Sequence, residues 1–519
     1  MEKTEISEDS TPLSGPGGEY EVAKDLIDLV CYLNDGRLLV SQTHRNDPRV
    51  LGYEAKLKRI GRSVDVFPVG LEVIRSAYSR HGLNGKSDVD SSKMQKEASD
   101  LFKKAVDSNA SDIHIRVSER GHTKIWFRIH GDLRFIEEHS YEYGYQMCST
   151  IYMTMTDVSD PAFKPLDRQD ARIADKTKIP SKIDGIRVAT TPQVGGFVMF
   201  LRLLYDDTGS SDDLHSLGYS PSHVAAVNLM KARPTGINIL AGPTGSGKST
   251  TLQRTLRQIA KERDFKLNII TVEDPPEYPI IGAVQTAVSN AENEAERSAA
   301  FQKAISGAMR LDPDIIMIGE VRDGPSAQLA VRASITGHQV WTTVHANNAM
   351  LIVDRLIDLG VPLSLLADSN IVTGLICQRL VKVLCPHCKV PFNKKMDRIS
   401  PDLKDRILRT THSSNVYMQG DGCPHCHHTG TAGRTVLVEL ITPDPKFMEF
   451  IKRGDKVGAH DYWINDQGGK SMLHHAIEKI NQGLVDPEAA ENQVGPLTMD
   501  MLLADHRLDE REVQSVLAA

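Results

Sequence analysis

Residues 241–250 read AGPTGSGKST and set Gly242, Gly247, Lys248 and Ser249 in the pattern G-x-x-x-x-G-K-[ST]. The apolar run INIL at 237–240 leads into this stretch, and TTLQRTLRQIA at 250–260 leads out with helical spacing. Strand, glycine loop and helix in that order are the setting in which the pattern cradles nucleotide phosphates. The residue types follow from the task. Glycines let the loop of Gly242, Pro243, Thr244, Gly245, Ser246 and Gly247 curl so that successive N–H groups face an anion. The helix that begins with Lys248, Ser249 and Thr250 adds the positive end of its dipole. Lys248 reaches the β and γ phosphates of ATP, and the Ser249 hydroxyl is placed to ligate Mg²⁺.

Working outward, the runs in NIITVED (268–274), DIIMIGE (314–320) and QVWTTVHA (339–346) are short, apolar and β-branched. With INIL they predict buried parallel strands, alternating with helices from 219 to about 380. Each strand ends in polar residues, which places chemistry at the C-terminal edge of an α/β sheet. VEDPPEY offers Glu273, Asp274 and Glu277 on a turn stiffened by two prolines. Such carboxylates hold Mg²⁺ through water or polarise an attacking water, and the plain alternative is a solvated acidic turn. RLDPDIIMIGEVRD (310–323) is an apolar strand ending in Glu320, a Walker-B-like element. Arg310 and Arg322 beside it are candidates to answer γ-phosphate charge, or else surface ion pairs. TGHQVWTTVHANN supplies His338 and His345, candidate γ-phosphate sensors, with a structural role as the alternative.

The 519 residues include 40% hydrophobic and 25% charged, an ordinary globular balance for roughly two to four domains. A net charge of −7 gives no overall basic field, so no direct contact with nucleic acid is expected. Seven cysteines are too few for a disulfide framework. Four of them form Cys385-Pro-His-Cys388 and Cys423-Pro-His-Cys426, two knuckles able to close a tetrahedral Cys₄ zinc site of the structural kind. Cys31, Cys148 and Cys377 stand singly in apolar contexts and read as core. No apolar run approaches the ~18 residues that span a bilayer, and the acidic N-terminus lacks signal-peptide features. A cytoplasmic protein without a transmembrane segment of its own is expected.

Composition divides the chain into a disordered tail (1–19), a small α/β docking domain (20–83), a polar linker (84–97), an α+β domain (98–207) and the nucleotide domain (219–519) with its zinc-binding region at 385–426. In the α+β domain SDIHIRV (111–117) and KIWFRIHGDL (124–133) alternate as half-buried strands do.

Taken together, GPTGSGKSTT, TVEDPPEY, RLDPDIIMIGEVRD, TGHQVWTTVHANN, ICQRLVKVLCPHC and CPHCHHTGTAGR resemble the secretion ATPase family, the ATPases of type II secretion and type IV pilus assembly. Those stretches are similar to its Walker A, Asp box, Walker B, His box and zinc-binding motifs, over about 98–490. The resemblance implies a RecA-like P-loop ATPase domain preceded by a PAS-like domain. It also implies a cytoplasmic homohexamer using ATP, Mg²⁺ and Zn²⁺, acting on an inner-membrane platform protein. Within it Arg187 and Arg202 match arginines that touch ATP phosphates. RQDARI departs from the usual QDGRI, and 1–95 match only loosely. The implied function is a motor for pilin polymerisation or pseudopilus-based secretion. A type IV secretion or conjugation ATPase, or a non-catalytic nucleotide-binding scaffold, are the other readings. The cysteine pairs favour the first over the second.

Overall fold

Apolar residues at 237, 239, 270, 272, 316, 318, 340 and 344 drive one core and define the largest sheet. The computed structural model describes residues 10–15, 18–23, 26–27, 29–45, 47–80, 87–118, 122–157, 162–206, 211–288 and 294–499. Among these, a seven-stranded sheet runs in the order Ala283–Ala287, Ile269–Glu273, Ile315–Ile318, Gln339–Val344, Gly236–Ala241, Val372–Leu384, Thr431–Ile441. All neighbours are parallel except the last, Thr431–Ile441, which pairs antiparallel with Val372–Leu384. The four strands expected from their β-branched runs lie side by side at the centre, and every residue in them is buried. That is why they read as unbroken apolar runs: both sheet faces are covered by helices. One face packs against Phe301, Ala330, Leu356 and Phe447, the other against Val227, Leu252 and Leu256.

A second, six-stranded antiparallel sheet spans Ala110–Ser118 to Gly196–Tyr205 and their neighbours. Its strands alternate. Ile113, Ile115, Val117, Ile125 and Phe127 turn inward under the helices Ser87–Asp107 and Tyr141–Thr150, while Asp112, Arg187 and Arg202 stand in register on the other face. The two large sheets touch. Arg187 donates to the carbonyls of Pro275 and Pro276 at 3.3 and 3.4 Å, and His130 Nδ1 lies 2.9 Å from Thr431 Oγ1. A third unit carries the strands Val30–Tyr32, Arg37–Ser41 and Asp65–Val69 with helices Pro48–Arg59 and Leu71–Arg80.

Two expectations change, and two strands are added. The linker at 84–97 gives way from Ser87 onward to the helix Ser87–Asp107, because Met94, Ala98, Leu101, Phe102 and Ala105 recur at helical spacing and bury against the six-stranded sheet; 84–86 lie outside the described residues. The tail is structured from Ser10 to Gly15. Ser14 is buried, its hydroxyl 2.7 Å from the Tyr78 hydroxyl and accepting the Tyr32 N–H; residues 1–9 lie outside the description. The long strands Val372–Leu384 and Thr431–Ile441 were masked in the sequence by the metal motifs they flank.

Two histidines buried beside the sheet give the fold a pH dependence. His223, on helix Pro221–Ala232, and His475, on helix Met472–Asn481, meet edge to face with ring centroids 4.7 Å apart. Neither ring nitrogen of His223 has a hydrogen-bond partner, whereas His475 Nδ1 accepts the Val438 N–H. Burial first, then the charges of Lys470 and Lys479, hold His223 down to about 4 and depress His475 as well. In the unfolded chain both protonate near 6.5. Between these values the unfolded state binds protons that the folded state refuses, so the contribution of these two histidines to stability is full above about pH 6.5 and is lost as pH drops towards 4. The thermal midpoint should therefore be lower at pH 5 than at pH 7.5, and the gap should narrow in His223→Leu. An unchanged gap would remove His223 from this role.

Candidate functional site

Strand Gly236–Ala241 runs into the loop, and helix Lys248–Glu262 begins directly after it. Gly242, Gly245 and Gly247 have φ of 144°, 78° and 88°. At Gly242 a Cβ would fall 2.3 Å from the Gln378 carbonyl oxygen, so only glycine fits. Lys248 folds back over the loop, its Nζ donating to Gly242 O at 2.7 Å and Pro243 O at 3.2 Å. Burial lowers its pKa while the nearby Glu320 charge works the other way. Ser249 and Thr250 sit in the first helical turn, at the positive end of the dipole.

The parallel strands bring four more groups to this edge. Glu320 follows Ile315–Ile318, and its carboxylate is held between His345 Nε2 at 2.6 Å and Arg322 at 2.7 Å. Glu273 ends its strand buried, its Oε1 accepting from Thr271 Oγ1 at 2.7 Å and Gln285 Nε2 at 2.8 Å. Glu277 lies 3.7 Å from Arg187 of the six-stranded sheet, and a narrow cleft joins it to Glu273, Gln253 and Ser249. Asp274 pairs with Arg297 at 2.8 Å. Arg202, directly across the ladder from Arg187, is bound to Asp112 at 3.0 Å.

His338 does not join them. It precedes strand Gln339–Val344, and its carbonyl accepts from Gly236 at the start of the loop strand. Its Nδ1 lies 2.9 Å from Ala333 O. In a parallel sheet a residue before one strand lies a whole strand, about 20 Å, from residues after its neighbour. The same topology sets Arg310, which precedes Ile315–Ile318, at the far edge. Within this chain neither faces the phosphate loop.

Sequence reasoning overlooked two features. A cavity of about 750 Å³ opens beside the loop, lined by Thr244, Ser246, Arg379, Lys382, Arg434 and His130 among others. It draws on both large domains and on the cysteine region, so no single motif signals it. Gln378 is fully buried behind the loop. It lies inside the ICQRLVK stretch, between Cys377 and Arg379.

The four knuckle cysteines gather with all Sγ atoms within 4.8 Å of one another. The pairs between Cys385 and Cys423, Cys388 and Cys426, and Cys423 and Cys426 are each 3.8 Å apart. A tetrahedron with metal–sulfur bonds of about 2.3 Å has sulfur–sulfur edges of about 3.8 Å, so the set fits a tetrahedral ion. The Cys423 and Gly430 N–H groups donate to Cys426 Sγ at 3.2 Å, the outer-shell support such a ligand needs.

Residues 87–500 match the family described as type II/IV secretion system protein. The chain belongs to that family. Its relatives include type II secretion system protein E of Klebsiella pneumoniae, 37% identical over 362 residues that cover 68% of this chain and 67% of that one. Type II secretion system ATPase E of Vibrio cholerae serotype O1 is 34% identical over 392 residues, 75% of this chain and 73% of its own. Among solved structures, the pilus retraction motor PilT with bound ADP covers 76% of this chain and 95% of its own at 22% identity, with a TM-score of 0.51. The ATPase DotB of Yersinia pseudotuberculosis covers 76% and 92% at 21% identity, with a TM-score of 0.52. These two share the fold of the secretion ATPase chain. No described helix is long and apolar enough to cross a membrane.

The cysteine geometry has a direct consequence. Purified protein should carry about one zinc per chain, and Cys423→Ser should lose both the metal and several degrees of thermal midpoint, since metal binding is folding free energy. Metal analysis showing no zinc in the intact protein would contradict the assignment.

Proposed function

We propose that the chain hydrolyses ATP in the cleft between a PAS-like and a RecA-like domain, as one subunit of a homohexamer at the cytoplasmic face of the inner membrane. The single observation that carries this is the meeting of the loop 242–249, the Glu320 and His345 pair, and Arg187 at one sheet edge, with Arg187 coming from the other domain. The family supports ATP and Mg²⁺ as substrate and metal, and the names of the relatives favour type II secretion over pilus assembly. Through a platform protein in the membrane, opening and closing of this cleft would drive pseudopilus or pilus growth. The conjugation-type reading is weakened by the Cys₄ cluster. The scaffold reading is weakened by a complete set of Lys248, Glu320 and His345.

In this reading the loop N–H groups and Lys248 bind the β and γ phosphates, and the cavity beside Thr244 and Arg434 receives the nucleoside. Mg²⁺, when bound at Ser249, supplies charge neutralisation between those phosphates. Glu320 takes the proton of the attacking water or orders it. His345 fixes the direction of its carboxylate, and the hydrogen bond between them must exchange as a γ-phosphate enters. Glu273 holds the acidic turn in place through Gln285, while Glu277 answers Arg187 and stands as the rival acid. Arg187 and Arg202 complete the phosphate site when the cleft closes, for which Arg202 must leave or share Asp112. The cysteine cluster holds zinc as a structural staple.

Binding and chemistry then separate. Lys248→Ala should weaken ATP binding itself. Glu320→Gln should bind ATP normally while single-turnover hydrolysis falls by roughly 10²–10⁴, the usual loss for a general acid–base group. Near-normal hydrolysis by Glu320→Gln, with Glu277→Gln inactive, would move the catalytic role to the acidic turn.

A further inference from the structure

Behind the phosphate loop lies a buried polar network that the reaction as described does not use. Gln378 projects from strand Val372–Leu384, the neighbour of the loop strand, and is 0% exposed. Its Nε2 donates to the Ser246 carbonyl at 2.8 Å. Its Oε1 accepts from the Tyr219 hydroxyl at 2.8 Å and from Thr251 Oγ1 at 3.0 Å. The orientation of the amide follows from these partners, because flipping it would set oxygen against the carbonyl. Gln378 also crowds the loop at its ends. Its carbonyl excludes any Cβ at Gly242, and its Nε2 lies 3.2 Å from where a Cβ of Gly247 would be. One residue thus meets the loop at its start through its backbone carbonyl, and the last turn of the loop and the helix that follows through its side chain.

The planar trans peptide gives this contact a direction. With the Ser246 C=O held towards Gln378, the Gly247 N–H of the same peptide must point the opposite way, into the cup that would receive phosphate. Tyr219 extends the network outward. It directly follows the segment joining the six-stranded domain to this one, and the end of that segment is pinned here. Thr435 Oγ1 donates to Leu217 O at 3.2 Å, and Lys479 Nζ donates to Gly218 O at 2.7 Å. Gly218 sits at φ 98° with Thr435 Oγ1 only 1.9 Å from where a Cβ would be, so the chain can turn there only with glycine. Upstream, strand Gly196–Tyr205 carries Arg202.

We propose that Gln378 is a positioning residue for the phosphate loop, and that its hydrogen bond with Tyr219 couples the pinned segment 217–219 to the loop's affinity for nucleotide phosphates. The inference rests on the reading that the loop binds ATP. Its consequence is that phosphate grip depends on a path inside one subunit, separate from the arginines that act across the cleft.

The test measures ADP affinity by calorimetry on the full-length protein, with thermal midpoints and steady-state ATPase kinetics in parallel. Variants are Tyr219→Phe, Gln378→Leu, the double variant, and Lys248→Ala. Tyr219→Phe keeps the packing and removes one hydrogen bond; it should weaken ADP binding and raise KM about fivefold, with kcat within about twofold. Gln378→Leu should weaken ADP binding by about ten- to a hundredfold. The double variant should be little weaker than Gln378→Leu, since the short bond of the tyrosine, 2.8 Å, goes to the glutamine and its contact with Thr251 Oγ1 is stretched to 3.5 Å. Ile480→Val, in the separate C-terminal core, controls for stability: it should lower the midpoint and leave ADP affinity alone. Wild-type affinity in Tyr219→Phe, or losses that add in the double variant, would overturn the coupling even while Lys248→Ala confirms the phosphate site. Failure of the wild-type protein to bind ADP would overturn the ATP reading itself and this inference with it.

Discussion

Parallel pairing of four buried strands is the constraint on which the rest depends. Gly236–Ala241 pairs with Gln339–Val344, that strand with Ile315–Ile318, and that one with Ile269–Glu273, all in the same direction. Their C-terminal ends therefore share an edge. Gly242, Glu273, Glu320 and His345 come together although about a hundred residues separate the first from the last. The hydrophobic burial that makes each strand continuous also keeps water and competing hydrogen bonds away from the backbone behind the site. What remains exposed at that edge is a helix N-terminus, a lysine and a set of acids, an arrangement suited to an anion with a metal.

The six-stranded sheet completes the edge from outside. Its antiparallel alternation divides every strand into a helix-covered apolar side and a polar side, so a row of charges comes at no loss to its core. Arg187, Arg202 and Asp112 occupy that row, opposite one another across three strands. Arg187 reaches the acidic turn already, whereas Arg202 is held by Asp112. The two arginines are thus in different states in the same structure. In the proposed cycle, closure of the cleft on nucleotide would give Arg202 a reason to exchange partners.

Much of this was legible in the sequence because local rules and global packing agree there. The loop pattern, its flanking strand and helix, and the β-branched runs each state the same answer, and the four cysteines meet with spacing that suits one ion. Reading failed where a residue's meaning depends on direction rather than on neighbours. His338 and His345 bracket one strand and look equivalent on paper, yet parallel topology sends them to opposite edges. Gln378 was invisible for a related reason. Its partners Tyr219 and Ser246 are distant in sequence, and a buried glutamine has no periodic signature of its own. The helix Ser87–Asp107 opens with the polar run SDVDSSK, and among its described side chains the buried stripe begins at Met94.

The central claim is that nucleotide is held between the two large domains at the edge shared by these strands. The structure of the chain with magnesium and a non-hydrolysable ATP analogue tests it most directly. The account predicts phosphates within hydrogen-bond distance of Lys248 and the 242–249 loop, the γ-phosphate facing Glu320, the nucleoside in the cavity bounded by Thr244 and Arg434, and Arg187 or Arg202 drawn onto the phosphates. Nucleotide bound with its phosphates away from that loop, or with neither arginine nearer to it than in the structure described above, would contradict the account.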